Sequence, residues 1–309
     1  MRPLLIALLL AASTFASDSG FNGRWIIPVP SRNRTWWLEV TGAGSANLKG
    51  RFVGFPGGDM NDIPNIAIEK GELRFYFDYD SRIKPGTTIH QEYRARLAGG
   101  KLDGSLHSEE ADLKWTGTRA PVVKDRDDGS WRDGKPIDLF NGRDLSGWKG
   151  LDSGKEFKWT IKDGAMNNGG GGNNLVSDQT FWNFKLHVEY RVGAHSNSGI
   201  GLRARYEVQI LEDYGEPVNV HGNGAVYSRI MPRVNASKPA GEWQSFDIRL
   251  VGRQVTVVLN DQKIIDKQEI EGLTAIASDG HEDQPGPLIL QGDHGPVEFR
   301  KILLTPLVK

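Results

Sequence analysis

Apolar and polar side chains alternate along most of this chain in short runs, broken by Gly, Asn and Asp. A period of two is the mark of half-buried β-strands, and no stretch sustains the spacing of a long amphipathic helix. Between Phe21 and Ala120 about eight short strands are predicted. They start near Arg24-Trp25-Ile26-Ile27, Trp36-Trp37-Leu38-Glu39-Val40 and Lys49-Gly50-Arg51-Phe52-Val53, and the last is Leu113-Lys114-Trp115-Thr116. Lys70-Gly71 and Ala98-Gly99-Gly100-Lys101 read as hairpin connections. Short links favour an antiparallel meander, rolled into a small barrel or sandwich. Farther on, Phe184, Leu186, Val188, Tyr190 and Val192 alternate with Lys185, His187, Glu189 and Arg191. Phe246, Ile248 and Leu250 repeat the pattern, Asn260-Asp261 turns the chain, and Phe299 to Leu304 makes a closing strand. Long antiparallel strands joined by irregular loops predict a jelly-roll β-sandwich with one concave sheet. The fold class is all-β throughout.

Punctuation divides the chain. Residues 121–136 hold Pro121, Gly129, Gly134 and Pro136 around a charged run from Lys124 to Asp128, which reads as an exposed linker. This separates a β-barrel-like domain, residues 17–120, from a jelly-roll domain, residues 137–309. At the N-terminus, Arg2, the apolar stretch Leu4 to Ala12 and Thr14-Phe15-Ala16 have the order of a secretory signal peptide cut after Ala16. A retained anchor is the alternative, but the stretch falls short of the ~20 residues a spanning helix needs. No other segment is long and apolar enough to span. The expected location is periplasmic, secreted or cell-surface.

Composition narrows the chemistry. The 309 residues are 38% hydrophobic and 25% charged, enough to build real cores. The formal net charge of −1, with no basic stripe, argues against a nucleic-acid partner. The absence of cysteine removes disulfides, thiolate nucleophiles and thiolate metal ligands. Two N-x-S/T sequons, at Asn33 and Asn235, read as chance matches. Nine Trp and 38 Gly suit many turns and, where a Trp is exposed, the flat face of a sugar.

Two stretches could carry chemistry. Read as one strand, Asn197 to Ile210 puts Arg203, Arg205, Glu207 and Gln209 on one face and Leu202, Tyr206, Val208 and Ile210 on the other. The polar set would suit a site or, equally, a solvated outer face. In the second stretch, Gln291, Asp293 and His294 stand where the apolar run Leu288-Ile289-Leu290 breaks into a Gly-Pro turn. A loop histidine beside an aspartate is a reasonable general acid or base, since its pKa lies near neutrality. His195, His221, His281, Glu282 and Asp283 lie in loops without metal-site spacing, and each lone histidine reads as an ordinary surface residue. No cofactor is assigned, and a divalent cation held by oxygen ligands stays open. Gly169 to Gly172 lacks the ending of a phosphate loop and reads as mobile. There is no G-x-S-x-G elbow.

Motifs spread over nearly all of Ile137 to Leu307 resemble the 3-keto-disaccharide hydrolase domain family, whose fold is a concanavalin-like jelly roll. They include Leu139-Phe140-Asn141-Gly142-Arg143-Asp144-Leu145-Ser146-Gly147-Trp148, Asn197-Ser198-Gly199-Ile200, Tyr206-Glu207-Val208-Gln209-Ile210 and Leu290-Gln291-Gly292-Asp293-His294-Gly295-Pro296-Val297. Gly23-Arg24-Trp25 and Gly50-Arg51-Phe52-Val53-Gly54 are weaker likenesses to modules that accompany the family.

The resemblance implies cleavage of glycosides already oxidised at C3, a carbohydrate substrate. On that footing Glu207 or His294 serves as base or acid. Arg203 and Gln209 hold the developing oxyanion. Tyr227, Trp243, Gln291, Asp293 and Asn197 position the sugar. A lectin-like binding protein without catalysis is the first alternative. A conventional retaining glycosidase needs two carboxylates about 5–5.5 Å apart. Here Glu207 is followed on its face by Gln209 and Leu211, with no carboxylate until Asp213, which counts against that alternative. Oligomeric state is open. So is the N-terminal domain's role, whether spacer or sugar-binding accessory.

Overall fold

The computed structural model describes residues 18–54, 57–81 and 84–309, so the expected signal sequence, residues 1–16, lies outside the described residues. The chain divides between Ala120 and Pro121 into two compact units.

The first unit is one antiparallel sheet of nine strands. They are β1 (Gly23–Val29), β2 (Arg34–Thr41), β3 (Lys49–Val53), β4 (Met60–Asp62), β5 (Asn65–Glu69), β6 (Glu72–Asp80), β7 (Thr88–Ala98), β8 (Lys101–His107) and β9 (Asp112–Arg119). The strand order is β4-β3-β2-β1-β9-β8-β7-β6-β5, so β1 meets β9 and the two free edges belong to consecutive strands. Lys70-Gly71 and Gly99-Gly100 have positive φ at both positions, the two-residue turn whose twist matches its flanking strands. The inner face buries Trp36, Phe52, Phe75 and Tyr93, with Phe75 and Tyr93 stacked at 4.6 Å between centroids. Gly50 leaves room for Ile63, between β4 and β5, and Ile66 of β5, which join the same core.

The second unit has fourteen strands in two antiparallel sheets. They are β10 (Arg132–Asp133), β11 (Ile137–Asp138), β12 (Trp148–Gly150), β13 (Trp159–Lys162), β14 (Ala165–Asn168), β15 (Leu175–Phe181), β16 (Phe184–Val192), β17 (Asn197–Leu202), β18 (Tyr206–Leu211), β19 (Gln244–Val251), β20 (Gln254–Leu259), β21 (Gln262–Glu269), β22 (Gly286–Leu290) and β23 (Val297–Val308). The large sheet runs β13-β14-β23-β16-β19-β20-β21, with β10 and β11 also on β23, and the small sheet runs β12-β15-β22-β17-β18. Phe184, Leu186, Val188 and Tyr190 of β16 and Phe246, Ile248 and Leu250 of β19 are all buried. So are Leu175, Leu290, Ile200, Leu202, Tyr206 and Val208 of the small sheet, giving a jelly-roll sandwich. Each such side chain contributes about 1.5–3 kcal/mol when fully buried.

Two expectations change here. The stretch at residues 121–136 reads from composition as an exposed linker, but it lies along the second unit. Asp127 takes two hydrogen bonds from Arg249, 2.8 and 2.9 Å, and Asp125 accepts from Trp182 and Asn183. Asn197 to Ile210 is a hairpin, not one strand. β17 stops at Leu202, and Arg203 and Ala204 take left-handed φ of 53° and 57° to reverse the chain into β18. Such a conformation costs roughly 1–2 kcal/mol per residue without glycine. The Arg203 guanidinium offsets it, lying over the Trp182 ring at 4.3 Å and the Tyr206 ring at 5.3 Å and donating to the Gly252 carbonyl.

Candidate functional site

The small sheet has a second face. By the period of two and the strand register, Val176, Ile289, Gln291, Gly199, Gly201, Glu207 and Gln209 point away from the buried Leu175, Leu290, Ile200 and Val208. The segment at residues 270–285 folds over one end of this face. Ile276 packs there with Val176, Ala204 and Ile289, and Gly201 leaves space for it. The other end is polar. Glu207 leans over Gly199, where any side chain would strike its Oε1 and Cγ. Gln209 is the cross-strand partner of Gly199 on one side, and Gln291 donates its N–H to the Gly199 carbonyl on the other, at 2.9 Å. Gln209 Nε2 reaches Asn197 Oδ1 at 3.3 Å. The structure therefore brings Glu207, Gln209, Gln291 and Asn197 together. The Oε1 atoms of both glutamines are buried and accept no hydrogen bond from the protein. An unsatisfied buried acceptor costs about 1–3 kcal/mol, which a ligand hydroxyl would recover.

Beyond β18 the chain at residues 224–227 runs alongside like a further strand. Gln209 and Ala225, and Glu207 and Tyr227, are joined through their backbones at 2.9 and 3.0 Å. Tyr227 thus sits beside Glu207 on the same face. The His221 ring packs on Tyr227, 4.9 Å between centroids. His221 is missed by sequence reasoning, because the turn that returns it to Tyr227 has no period to read. Thr274 is missed as well: its Oγ1 accepts the Glu207 N–H at 2.9 Å and donates to the Arg205 carbonyl at 3.2 Å.

Asp293 and His294 follow Gln291 at the end of β22. Asp293 accepts from His294 Nδ1 at 2.8 Å and from Lys155 Nζ at 3.0 Å. Burial alone would raise the Asp293 pKa, but these two hydrogen bonds outweigh it and hold the carboxyl well below the usual range. Asn174 Oδ1 receives the N–H groups of Gly292 and Asp293 and fixes the turn. The run Gly169 to Gly172, which reads as mobile, is pinned to the same turn. Gly171 donates to the His294 carbonyl and Gly172 to the Gly292 carbonyl, both at 2.9 Å, and a side chain at Gly170 would collide with that backbone.

Three cationic or aromatic expectations are corrected. Arg203 is fully buried toward Trp182 and Gly252, and burial pushes its pKa down to about 10; it does not share the Glu207 face. Arg205 turns to Asp279 and to the carbonyl of Gln284, both at 2.7 Å, and clamps the covering segment. Trp243 lies on the large sheet, with Arg191 at 4.8 Å and Arg300 at 4.4 Å from its ring. For the two arginines the reason is the hairpin at Arg203, which breaks the alternation expected of a single strand, and Trp243 directly precedes β19 of the other sheet. Among the described residues no group of three or more His, Asp and Glu side chains is placed to hold a metal ion.

Residues 135–305 match the sequence profile of the 3-keto-alpha-glucoside-1,2-lyase-like domain. A curated relative, the 3-keto-disaccharide hydrolase of Bacteroides thetaiotaomicron, is 27% identical over 168 residues, covering 42% of this chain and 57% of the relative. The chain thus spans little more than half the length of that relative. Two solved proteins of Parabacteroides distasonis with provisional glycosyl hydrolase names are also similar. One is 27% identical over 60% of this chain and 90% of its own, with a TM-score of 0.47. The other is 21% identical over 57% and 100%, with a TM-score of 0.48. Through residues 135–305, more than half its length, the chain belongs to the 3-keto-alpha-glucoside-1,2-lyase-like domain family.

Proposed function

We propose that the second unit cleaves 3-keto-glycosides by removing the C2 proton, eliminating the C1 substituent and adding water. The names carried by the family and its relatives support a carbohydrate substrate and hydrolase-type chemistry. The observation that carries the reading is the Glu207 carboxylate over bare Gly199, between two glutamine amides whose buried oxygens lack partners.

A ketone at C3 acidifies the hydrogen on C2. Glu207 is the base in this scheme, and the electron pair of the broken C2–H bond becomes an enediolate. The enediolate expels the C1 oxygen as the leaving group takes a proton from an acid. Water then adds across the glucal double bond to give the 3-keto sugar. His221 on Tyr227, or His294 held by Asp293, supplies the acid. Charge growing on O3 takes donors from the Gln209 and Gln291 amides and the Tyr227 hydroxyl, since donors aimed at the developing oxyanion usually give the largest single contribution. In this scheme Asn197 orients the Gln209 amide, and the donor role expected of Arg203 passes to these neutral groups.

The test is an NMR time course with a 3-keto-glucoside and its unoxidised parent side by side, in deuterated water. Cleavage of the keto compound alone, with deuterium entering C2, is the expected result. Glu207→Gln should lower kcat by about 10²–10⁴. Full turnover by Glu207→Gln, or cleavage of the unoxidised parent, would overturn the scheme. Line broadening without product would move the reading to a binding protein.

A further inference from the structure

The glycine run at residues 169–172 ends in two buried asparagines, Asn173 and Asn174, and each holds a different segment. Asn173 holds the exposed loop at residues 151–158. Its Oδ1 accepts the Asp152 N–H at 3.0 Å, its Nδ2 donates to the Asp152 carbonyl, and its own N–H donates to the Glu156 carbonyl at 2.8 Å. Asn174 holds the turn after β22, through the Gly292 and Asp293 N–H groups on its Oδ1. Gly172 lets the loop pass, since a β-carbon there would lie 2.9 Å from that of Lys158. Two consecutive side chains thus set one loop against one turn. The outcome is the Lys155 ammonium at 3.0 Å from Asp293 Oδ2.

Asp293 meets Lys155 with one oxygen and His294 Nδ1 with the other, at 2.8 Å. An ionised carboxylate only accepts hydrogen bonds, so the proton of the second contact belongs to Nδ1. Proton exchange with a substrate then falls to Nε2. The turn is docked beside Glu207 at both ends. Gln291 donates its N–H to the Gly199 carbonyl at 2.9 Å, and Gly295 donates to the Asn197 carbonyl at 2.7 Å. A side chain at Gly295 would collide with Ser196 and Asn197. Asn197 and Gly199 are one same-face step apart on β17, about 7 Å. The Glu207 carboxylate stands over Gly199, so His294 leaves the chain roughly the breadth of a sugar ring from it.

We infer that Lys155 is a positioning residue for the acid of the cleavage reaction: it holds Asp293, Asp293 holds His294 Nδ1, and His294 Nε2 gives the proton to the leaving oxygen. The inference rests on the reading that the second unit cleaves 3-keto-glycosides, and it chooses His294 over His221 as the acid. The protons balance. Glu207 takes the C2 proton, the C1–O bond breaks, and the leaving group departs as an alcohol with the Nε2 proton. When water adds, its hydroxyl goes to C1, His294 Nε2 takes its proton, and Glu207 returns a proton to C2. Lys155 touches neither sugar nor aglycone in this scheme. Burial works to protonate Asp293, and the hydrogen bonds from His294 and Lys155 oppose it. Lys155→Met removes one of the two, which frees the carboxyl to turn or to take up a proton and so releases Nδ1.

The experiment follows wild type, Lys155→Met and Lys155→Arg with two readouts, after a melting curve has checked each fold. The first needs no substrate: imidazole ¹⁵N shifts give the tautomer of neutral His294, assigned by the signals that His294→Gln loses. Wild type and Lys155→Arg should carry the proton on Nδ1, and Lys155→Met should shift toward Nε2. The second compares methyl and 4-nitrophenyl 3-keto-glucosides. Methoxide needs an acid to leave and nitrophenolate does not, so the nitrophenyl-to-methyl ratio of kcat should rise about tenfold or more in Lys155→Met and return in Lys155→Arg. A loss elsewhere in the site would slow both compounds alike. A ratio that stays at the wild-type value, or a tautomer that is the same in all three chains, overturns the inference and leaves the cleavage reading intact. If the wild type cleaves neither compound, the cleavage reading fails and the acid assignment falls with it, while the tautomer still decides whether Lys155 orients His294.

Discussion

Gly199 has no special φ, yet nothing larger fits there, because the Glu207 carboxylate occupies the space a β-carbon would need. Gly199→Ala should displace the carboxylate and lower kcat by roughly a hundredfold while the fold persists, which steady-state kinetics and a melting curve would separate. Thr274 holds the backbone of Glu207, the residue that carries this carboxylate. Thr274→Val keeps the shape but orphans the buried Glu207 N–H, a cost of about 1–3 kcal/mol. Thr274→Ser restores the acceptor, so recovery of both Tm and kcat in the serine variant is the expected result. A valine variant equal to wild type would show that the hydroxyl does nothing for Glu207. At this scale the sequence was partly legible. Glu207, Gln209, Gln291 and Asn197 stand in motifs, and a strand period sets their common face. Thr274 and His221 were not legible, because loops without periodicity bring them in.

The segment over the small sheet is held from below by the hairpin it covers. Arg205 takes Asp279 and Gln284, the Tyr206 hydroxyl donates to Glu282 at 2.7 Å, and from the neighbouring loop Arg229 donates to the Glu271 carbonyl. Glu282 is fully buried, and burial raises its pKa against the pull of Tyr206, Arg253, Arg203 and Arg205. The sign follows from linkage. A carboxyl whose folded pKa is raised favours the fold while protonated, and that contribution is lost as pH rises through the folded value. Glu282→Gln, which keeps an acceptor for Tyr206, should therefore raise Tm relative to wild type above that value and match it below pH ~4. A difference that stayed constant with pH would refute this. The sequence shows the polar residues of Arg203 to Gln209 but not their use. Arg203-Ala204-Arg205 contains no turn-forming glycine or asparagine, and the contacts of Arg203 with Trp182, Tyr206 and the Gly252 carbonyl offset the reversal. By contrast, Lys70-Gly71, Gly99-Gly100 and Asn260-Asp261 announce their hairpins, since those residue types accept the left-handed φ they adopt.

At the scale of the molecule, each unit closes its own core. Residues 121–309 expressed alone should give a cooperative thermal transition and turn over a 3-keto-glucoside with kcat close to that of the longer chain. An unfolded product would show that the first unit is needed for folding. The all-β class and the two runs of strands are evident from alternation alone, but the closing contacts are not, because a pairing such as Trp25 with Arg119 joins distant positions that no local pattern links. The same is true of β23, which pairs with β10, β11, β14 and β16 and so forms the spine of the large sheet. A chain made from its N-terminal end supplies this spine after the other strands of the second unit. Until Val297–Val308 emerges, the pair β13-β14 and the run β16-β19-β20-β21 have no strand between them, and β14 and β16 each keep one unpaired edge. The large sheet therefore closes only once this strand is in place, and the long loop that brings β23 between β14 and β16 must close before its contacts form.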